Sequence, residues 1–273
     1  MSKRLLGLVL VLPALAVIAL LFLFPLGISI VGAFESDRRY GLGNFEKAFA
    51  LYSQDVIFTM AIVGFSTLVI GTFSVAIAGY LTLGENPRAV AILRWLYRWP
   101  MFIPFIVVGQ VLRTFLAKNG LMNNILIGAS ILTPIQASGF LDWRGIVIAF
   151  VWKQTPFVTL LLAGAMASLD RGTIEAARNL GASRLRILIE IVMPQVATTL
   201  VVGLILSFVT MMSVLSVPLM INAQSPTMIT ADIAFRINAY GDYGVANALG
   251  LISLGVTACV AWIYLRQTMK ERS

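Results

Sequence analysis

Four stretches of this sequence contain no charged side chain and are each long enough to cross a bilayer: Leu5–Phe34, Val56–Gly84, Ile191–Ala231 and Tyr243–Leu265. A hydrocarbon core of about 30 Å requires about 20 consecutive, largely apolar residues in a helix, and lipid admits only elements that satisfy their own backbone groups. Two further stretches qualify with few interruptions: 92–116 carries Arg94, Arg98 and Arg113, and 145–169 carries Lys153. The expectation is an all-α polytopic membrane protein. Residues 1–273 form one transmembrane domain with six spans, at about 5–34, 56–83, 92–116, 145–168, 195–221 and 243–265. Charged residues make up only 12% of the chain, against about 25% in a soluble domain. The stretch 119–143 is also apolar, but Gly120, Asn123, Asn124, Pro134 and Gly139 punctuate it. It reads as an interfacial or re-entrant excursion, with a seventh crossing as the competing reading.

The 20 Lys and Arg against 12 Asp and Glu give a net charge of +8. Placement explains this excess, because basic residues near span ends stay preferentially cytoplasmic. With the N-terminus inside, twelve basic residues and five acids fall on the cytoplasmic side, including Lys3, Arg4, Arg88, Arg94, Arg98, Arg171, Arg178, Arg184, Arg186 and Arg272. That orientation puts both termini in the cytoplasm and makes nucleic acid unnecessary as a partner; membrane lipid is the surrounding. Lys3 and Arg4 precede an apolar stretch too long for the roughly 7 to 15 residues of a secretory signal, so it reads as an anchor. The sequence holds no His and one Cys, Cys259. This excludes an intramolecular disulfide, the usual Cys/His zinc sites and a Ser-His-Asp triad. Lys153, beside Trp152 and a short way into the fourth span, reads as a snorkelling side chain.

The loop 169–192 between the fourth and fifth spans is more than a connector. Asp170 or Thr173 can cap a first short helix with Glu175 near its positive end. Gly181 is placed to end that helix in a left-handed conformation, and Ser183 to cap a second helix in which Leu185, Leu188, Ile189 and Val192 share one face. An amphipathic surface helix is the plainest reading of that pattern.

Glu175-Ala176-Ala177, three residues, Gly181, nine residues, Ile191, one residue and Met193-Pro194 together resemble the EAA loop of the permease subunits of bacterial ABC importers of type I. The family pattern has leucine where this chain has Met193, a volume-conserving exchange. The resemblance extends over nearly the whole chain. It implies a subunit of the bacterial cytoplasmic (inner) membrane whose loop docks as coupling helices on separate ATPase subunits, through Glu175, Ala176, Ala177, Gly181, Ser183, Ile191 and Pro194. It also implies two ATPase subunits, a second permease subunit in a hetero- or homodimer, and an extracytoplasmic solute-binding protein. No G-x-x-x-x-G-K-[ST] phosphate loop occurs; ATP and Mg are accordingly expected on the partners, with no cofactor, metal or catalytic residue on this chain.

Within that family, the turn Asn119-Gly120-Leu121-Met122-Asn123-Asn124 and the stretch Ser216–Ile221 resemble permeases for polyamines, related small organic solutes or iron. The alternative is a sugar permease of the maltose or glycerol-phosphate type, which shares the loop and the Trp152…Pro156-Phe157 arrangement. Candidate solute-path residues are Trp152, Gln154, Ser213, Ser216 and Asn222, uncharged or amphipathic groups that bind a passing solute weakly enough to release it. An ion-coupled secondary transporter is the rival class, but it is expected to carry acids within its spans; the acids here fall in loops or near span ends.

Overall fold

The computed structural model describes residues 3–36, 39–222 and 224–271; Arg272, counted above as cytoplasmic, lies outside them. The described chain is almost wholly helical, as expected for its class. Five helices are long and apolar enough to cross a membrane, or six when one sharply bent pair is taken as a single span. The residues fall into two compact units, Met1–Gln54 with Asp232–Gly255 and Asp55–Ala231 with Val256–Ser273.

In the first unit, α1 (Lys3–Ile18) continues through a π-helical turn, Ala19–Leu23, into α2 (Phe24–Phe34). Leu20, Leu21 and Phe22 are exposed, as lipid-facing residues are. A two-residue antiparallel pair, β1 (Glu35–Ser36) and β2 (Arg39–Tyr40), turns the chain into α3 (Gly43–Leu83). The orphan carbonyls at the end of α2 are taken by one buried side chain: Asn44 Nδ2 donates to Ala33 O at 3.1 Å and Glu35 O at 2.8 Å. At 41 residues α3 spans about 60 Å, more than the bilayer with its headgroups. The second span was expected to begin near residue 56. The helix starts 13 residues earlier because Glu46 and Lys47 need not be buried in hydrocarbon when that end projects beyond it.

In the second unit, α4 (Pro87–Leu96) leads through a 3-10 turn, Trp99–Phe102, to α5 (Phe105–Leu116) and α6 (Leu121–Gly128). The third span expected over 92–116 corresponds to this bent pair, in which the chain turns by 105° between Phe102 and Phe105. Pro104 lies at the bend and cannot donate to the carbonyl of Pro100, four residues earlier. Lys153 compensates, its Nζ donating to Pro100 O at 3.0 Å and Met101 O at 2.8 Å. The snorkelling expected of Lys153 is thus corrected: its ammonium caps a broken helix, a favourable place for a cation.

The excursion after α5 closes on itself. Phe140 N donates to Leu116 O at 2.9 Å, and buried Asn123 donates to Lys118 O at 2.8 Å and Ser138 O at 2.9 Å. A chain that returns to the end of the helix it left does not complete a crossing, which removes the seventh-span reading. Gly120 is required at its start, since a Cβ there would stand 2.6 Å from the carbonyls of Thr114 and Phe115.

From here α7 (Trp143–Ala167) runs unbroken past Pro156, then come α8 (Arg171–Asn179), α9 (Arg184–Arg186) and a π-helical segment, Ile187–Val192, leading into α10 (Met193–Ser213). The fifth span expected over 195–221 differs at both ends. It extends back to Arg184 as one 30-residue helix, and it stops at Ser213 before α11 (Ser216–Ile221). Pro218 cannot donate to Val214 O, and Thr230 supplies that hydrogen bond through its hydroxyl at 3.0 Å. The short α12 (Ile229–Phe235) is held by buried Asp55 and Thr59, which accept from Thr227 N at 2.7 Å and Ile229 N at 2.9 Å. The last helix, α13, covers Tyr243–Glu271. Phe150, Ile146, Val108, Met211, Val217 and Ile70 anchor the core of this unit, joining α3, α5, α7, α10 and α11.

Candidate functional site

The loop between α7 and α10 is built by local capping. Asp170 accepts from Gly172 N at 3.0 Å and from the Thr173 hydroxyl at 3.1 Å, and these bonds, the backbone one foremost, hold its carboxyl below the usual carboxylate range. At the other end of α8, Gly181 has φ of 83° and Ala182 N donates to Ala177 O at 3.1 Å, the closing geometry that glycine adopts without strain. Nothing lies within 4 Å of where a Gly181 Cβ would stand, so its conformation rather than its packing requires glycine. Ser183 then caps α9, accepting from Arg186 N at 3.4 Å.

One face of this loop packs inward and the other faces out. Ile187 and Val192 are fully buried with Leu162, Met166 and Ala78, and partly buried Ala177, Leu188 and Ile191 pack against them. Leu188 comes so close to α3 that a Cβ on Gly79 would stand 2.8 Å from its Cδ2. On the outward face Glu175, Ala176, Ser183 and Pro194 are exposed, together with Leu180 (88%) and Leu185 (64%). Sequence reasoning missed Leu180, and equally Glu85, which pairs with Arg184 and ties the α3–α4 connection to α9. A lone acid in a three-residue connection next to a basic helix was the signal available.

The seven loop residues thus belong to one folded element, divided between its two faces. The five solute-path candidates do not form such a group. Trp152 lines an apolar groove with Phe73, Ile148 and Val151 that none of the other four lines. Gln154, two residues on, is buried, and its Nε2 has no hydrogen-bond partner among the described residues. Ser213 is exposed and bonds back to Thr210 O at 2.8 Å, and Ser216 lies across the Val214-Leu215 break from it. Asn222 serves its own loop, its Nδ2 donating to Pro226 O at 3.0 Å and its main-chain carbonyl accepting from Thr227 Oγ1 at 2.9 Å.

Residues 72–270 match the family described as binding-protein-dependent transport system inner membrane component. The chain is 24% identical over 286 residues to a sulfoquinovosyl glycerol transport system permease protein of Agrobacterium fabrum, covering 97% of this chain and 91% of that protein. It is 28% identical over 282 residues to a trehalose/maltose transport system permease protein of Thermococcus litoralis, covering 96% and 92%. Among solved structures, a subunit of a bacterial alginate ABC transporter, crystallised with an alginate pentasaccharide-bound periplasmic protein, superimposes with a TM-score of 0.81 at 20% identity, covering 96% of this chain and 93% of that one. At that identity the superposition speaks for the fold alone.

Proposed function

This chain belongs to the binding-protein-dependent transport system inner membrane components and is a multi-pass permease subunit of an ABC transporter, and from that premise we propose that it carries a small carbohydrate inward and takes its drive through the loop 169–192. The observation that carries the coupling reading is the join between loop and span. From the Ser183 cap the helix runs without interruption through Ile187–Val192 into α10, so a displacement at exposed Leu180, Leu185 or Glu175 is passed on as a tilt of a membrane helix. In this reading Glu175 supplies a polar contact to an ATPase subunit, Ala176 a close approach, and Gly181 the turn, while Ala177 and Ile191 fix the loop to the core. The partners are two ATPase subunits that bind ATP and Mg, a second permease subunit, and an extracytoplasmic binding protein, with the loop and both termini in the cytoplasm.

The carbohydrate reading takes precedence over the polyamine one. Two relatives that align along almost the whole chain are named for sugar substrates. The turn after α5 that suggested the polyamine group has a structural task, since Asn123 closes the excursion. Asp242, an acid otherwise available to a cation, is paired with Arg236 at 3.5 Å and accepts from Val245 N at 3.1 Å.

ATP hydrolysis by the reconstituted transporter tests both parts. Binding protein loaded with a disaccharide or glycosyl glycerol is expected to stimulate hydrolysis, and a polyamine-loaded one is not. Gly181→Leu and Glu175→Lys are expected to abolish the stimulation while membrane insertion persists. Unchanged stimulation and unchanged co-purification of the ATPase in both variants would remove the coupling assignment.

A further inference from the structure

A polar cleft and an apolar groove in the second unit meet at two arginines. The cleft, of about 590 Å³, is lined by Arg94 of α4, Arg98 just before the 3-10 turn, and Arg171 and Arg178 of α8, with Glu85 and Glu175. None of the four arginines forms an ion pair among the described residues; Arg98 donates only to the neighbouring Tyr97 hydroxyl at 3.2 Å. Glu85 is already engaged by Arg184. Glu175 alone is left to balance four guanidinium groups, and such a cleft attracts an anion. The groove, of about 760 Å³, is lined by Trp95, Trp99, Phe102, Ile103 and Ala91, and again by Arg94 and Arg98. Its aromatic rings are 60%, 55% and 78% exposed in chain order, and Trp95 stacks edge-on against Trp99 at 4.8 Å.

We propose that this pair of recesses is a binding site for one anionic phospholipid, its phosphate headgroup between Arg94, Arg98, Arg171 and Arg178 and an acyl chain along Trp95, Trp99 and Phe102. The argument is complementarity in two parts. A soluble phosphate would need the cleft but not an exposed aromatic groove sharing its arginines, and an apolar protein face on the groove would leave the arginines unpaired. An amphiphile with a negative head uses both, and guanidinium groups beside tryptophans are the side chains that match the boundary between headgroups and acyl chains. Asn86 caps α4, accepting from Arg88 N at 3.0 Å and Ala89 N at 3.2 Å, and Pro104 ends the segment at the bend. The platform is therefore formed before lipid arrives. The proposal does not rest on coupling through the loop, because lipid retention is read independently of ATP hydrolysis.

The test uses the assembled transporter in nanodiscs of phosphatidylcholine with increasing phosphatidylglycerol, followed by detergent exchange and native mass spectrometry. Wild type is expected to retain one phosphatidylglycerol per copy of this chain in preference to phosphatidylcholine. The double variant Arg94→Gln, Arg98→Gln is expected to retain it about thirtyfold less well, the factor contributed by two basic groups near an anionic surface. Arg94→Lys with Arg98→Lys should restore most of the preference, which a merely misfolded site would not do. Trp99→Ala with Phe102→Ala should weaken retention of the long-chain lipid and leave binding of glycerol phosphate unchanged. Equal retention of the two lipids by wild type, or no loss in the Gln variant, overturns the proposal. So does competition by inorganic phosphate with no effect of Trp99→Ala, which would make the cleft a soluble-anion site. Efficient cross-linking of Trp99→Cys to the second permease subunit, in a Cys259→Ala background, would assign the groove to that partner instead.

Discussion

Lys153 and Gly181 show two ways in which a single residue can be required. Lys153 sits inside α7, where a basic group costs about 2.5 to 3.5 kcal/mol on insertion scales. It offsets this by donating to Met101 O and adding a second, shorter bond to Pro100 O, which otherwise accepts only from Ile103 N at 3.3 Å. Lys153→Met should destabilise the permease by about 1 to 3 kcal/mol, because Met101 O loses the Lys153 donor and Pro100 O keeps only the long bond from Ile103 N at 3.3 Å. Lys153→Arg, which keeps a cation and more donors, should recover most of the stability. Thermal unfolding of the detergent-solubilised transporter checks the order Lys, Arg, Met; a Met variant as stable as wild type would mean that another group caps the bend. Gly181 acts by conformation alone. Its φ of 83° makes a branched side chain cost about 1 to 2 kcal/mol even though the space around it is open. Gly181→Asn should therefore retain more transport than Gly181→Leu, since asparagine tolerates the left-handed region. Identical uptake by the two variants would show that the turn is not under conformational demand.

The elements divide into those set by length of apolar run and those set by distant partners. The long helices were legible because a charge-free run in lipid has only one way to satisfy its backbone. The capping of α8 and α9 was legible because Asp170, Gly181 and Ser183 act within a few residues of themselves. The breaks were not. Pro104 and Pro218 announce a lost donor, but whether a helix continues past a proline depends on who serves the orphan carbonyl. Those groups are Lys153, some 50 residues from the bend, and Thr230, 16 residues beyond Val214. The outward extension of α3 was hidden for a different reason, since charged residues mark the edge of the hydrocarbon and not the end of a helix. The closed excursion 117–142 gives a further test at this scale. Single cysteines replacing Ser138 and Ser183, in a Cys259→Ala background, should be labelled from opposite sides of the membrane, Ser183→Cys only when the reagent has access to the cytoplasm. Labelling of both from one side would remove the proposed topology.

At the scale of the whole molecule, the five solute-path candidates do not gather into one site among the described residues. Trp152 faces a groove, Ser213 bonds to its own helix, and the Asn222 side chain donates to Pro226 O. Gln154 differs from these, because it is buried with an amide nitrogen that donates to nothing among the described residues. An unmet donor at such a position costs about 1 to 3 kcal/mol, and replacing it with an apolar group of similar size relieves that cost. Gln154→Leu should therefore unfold at the same or a higher temperature than wild type. If the unmet amide serves a hydroxyl of the passing carbohydrate, the same variant should take up solute more slowly at saturation, so that stability and transport move in opposite directions. Asn222→Leu should instead lower both together, because it removes the side-chain bond to Pro226 O in the connection before α12. Ser216→Leu, at the α10–α11 break, is the third arm. Uptake across solute concentrations, with assembly and basal ATP hydrolysis as controls, separates the cases. Wild-type uptake in all three would place the path along the second permease subunit, with this chain contributing its helices as the wall and its loop as the drive.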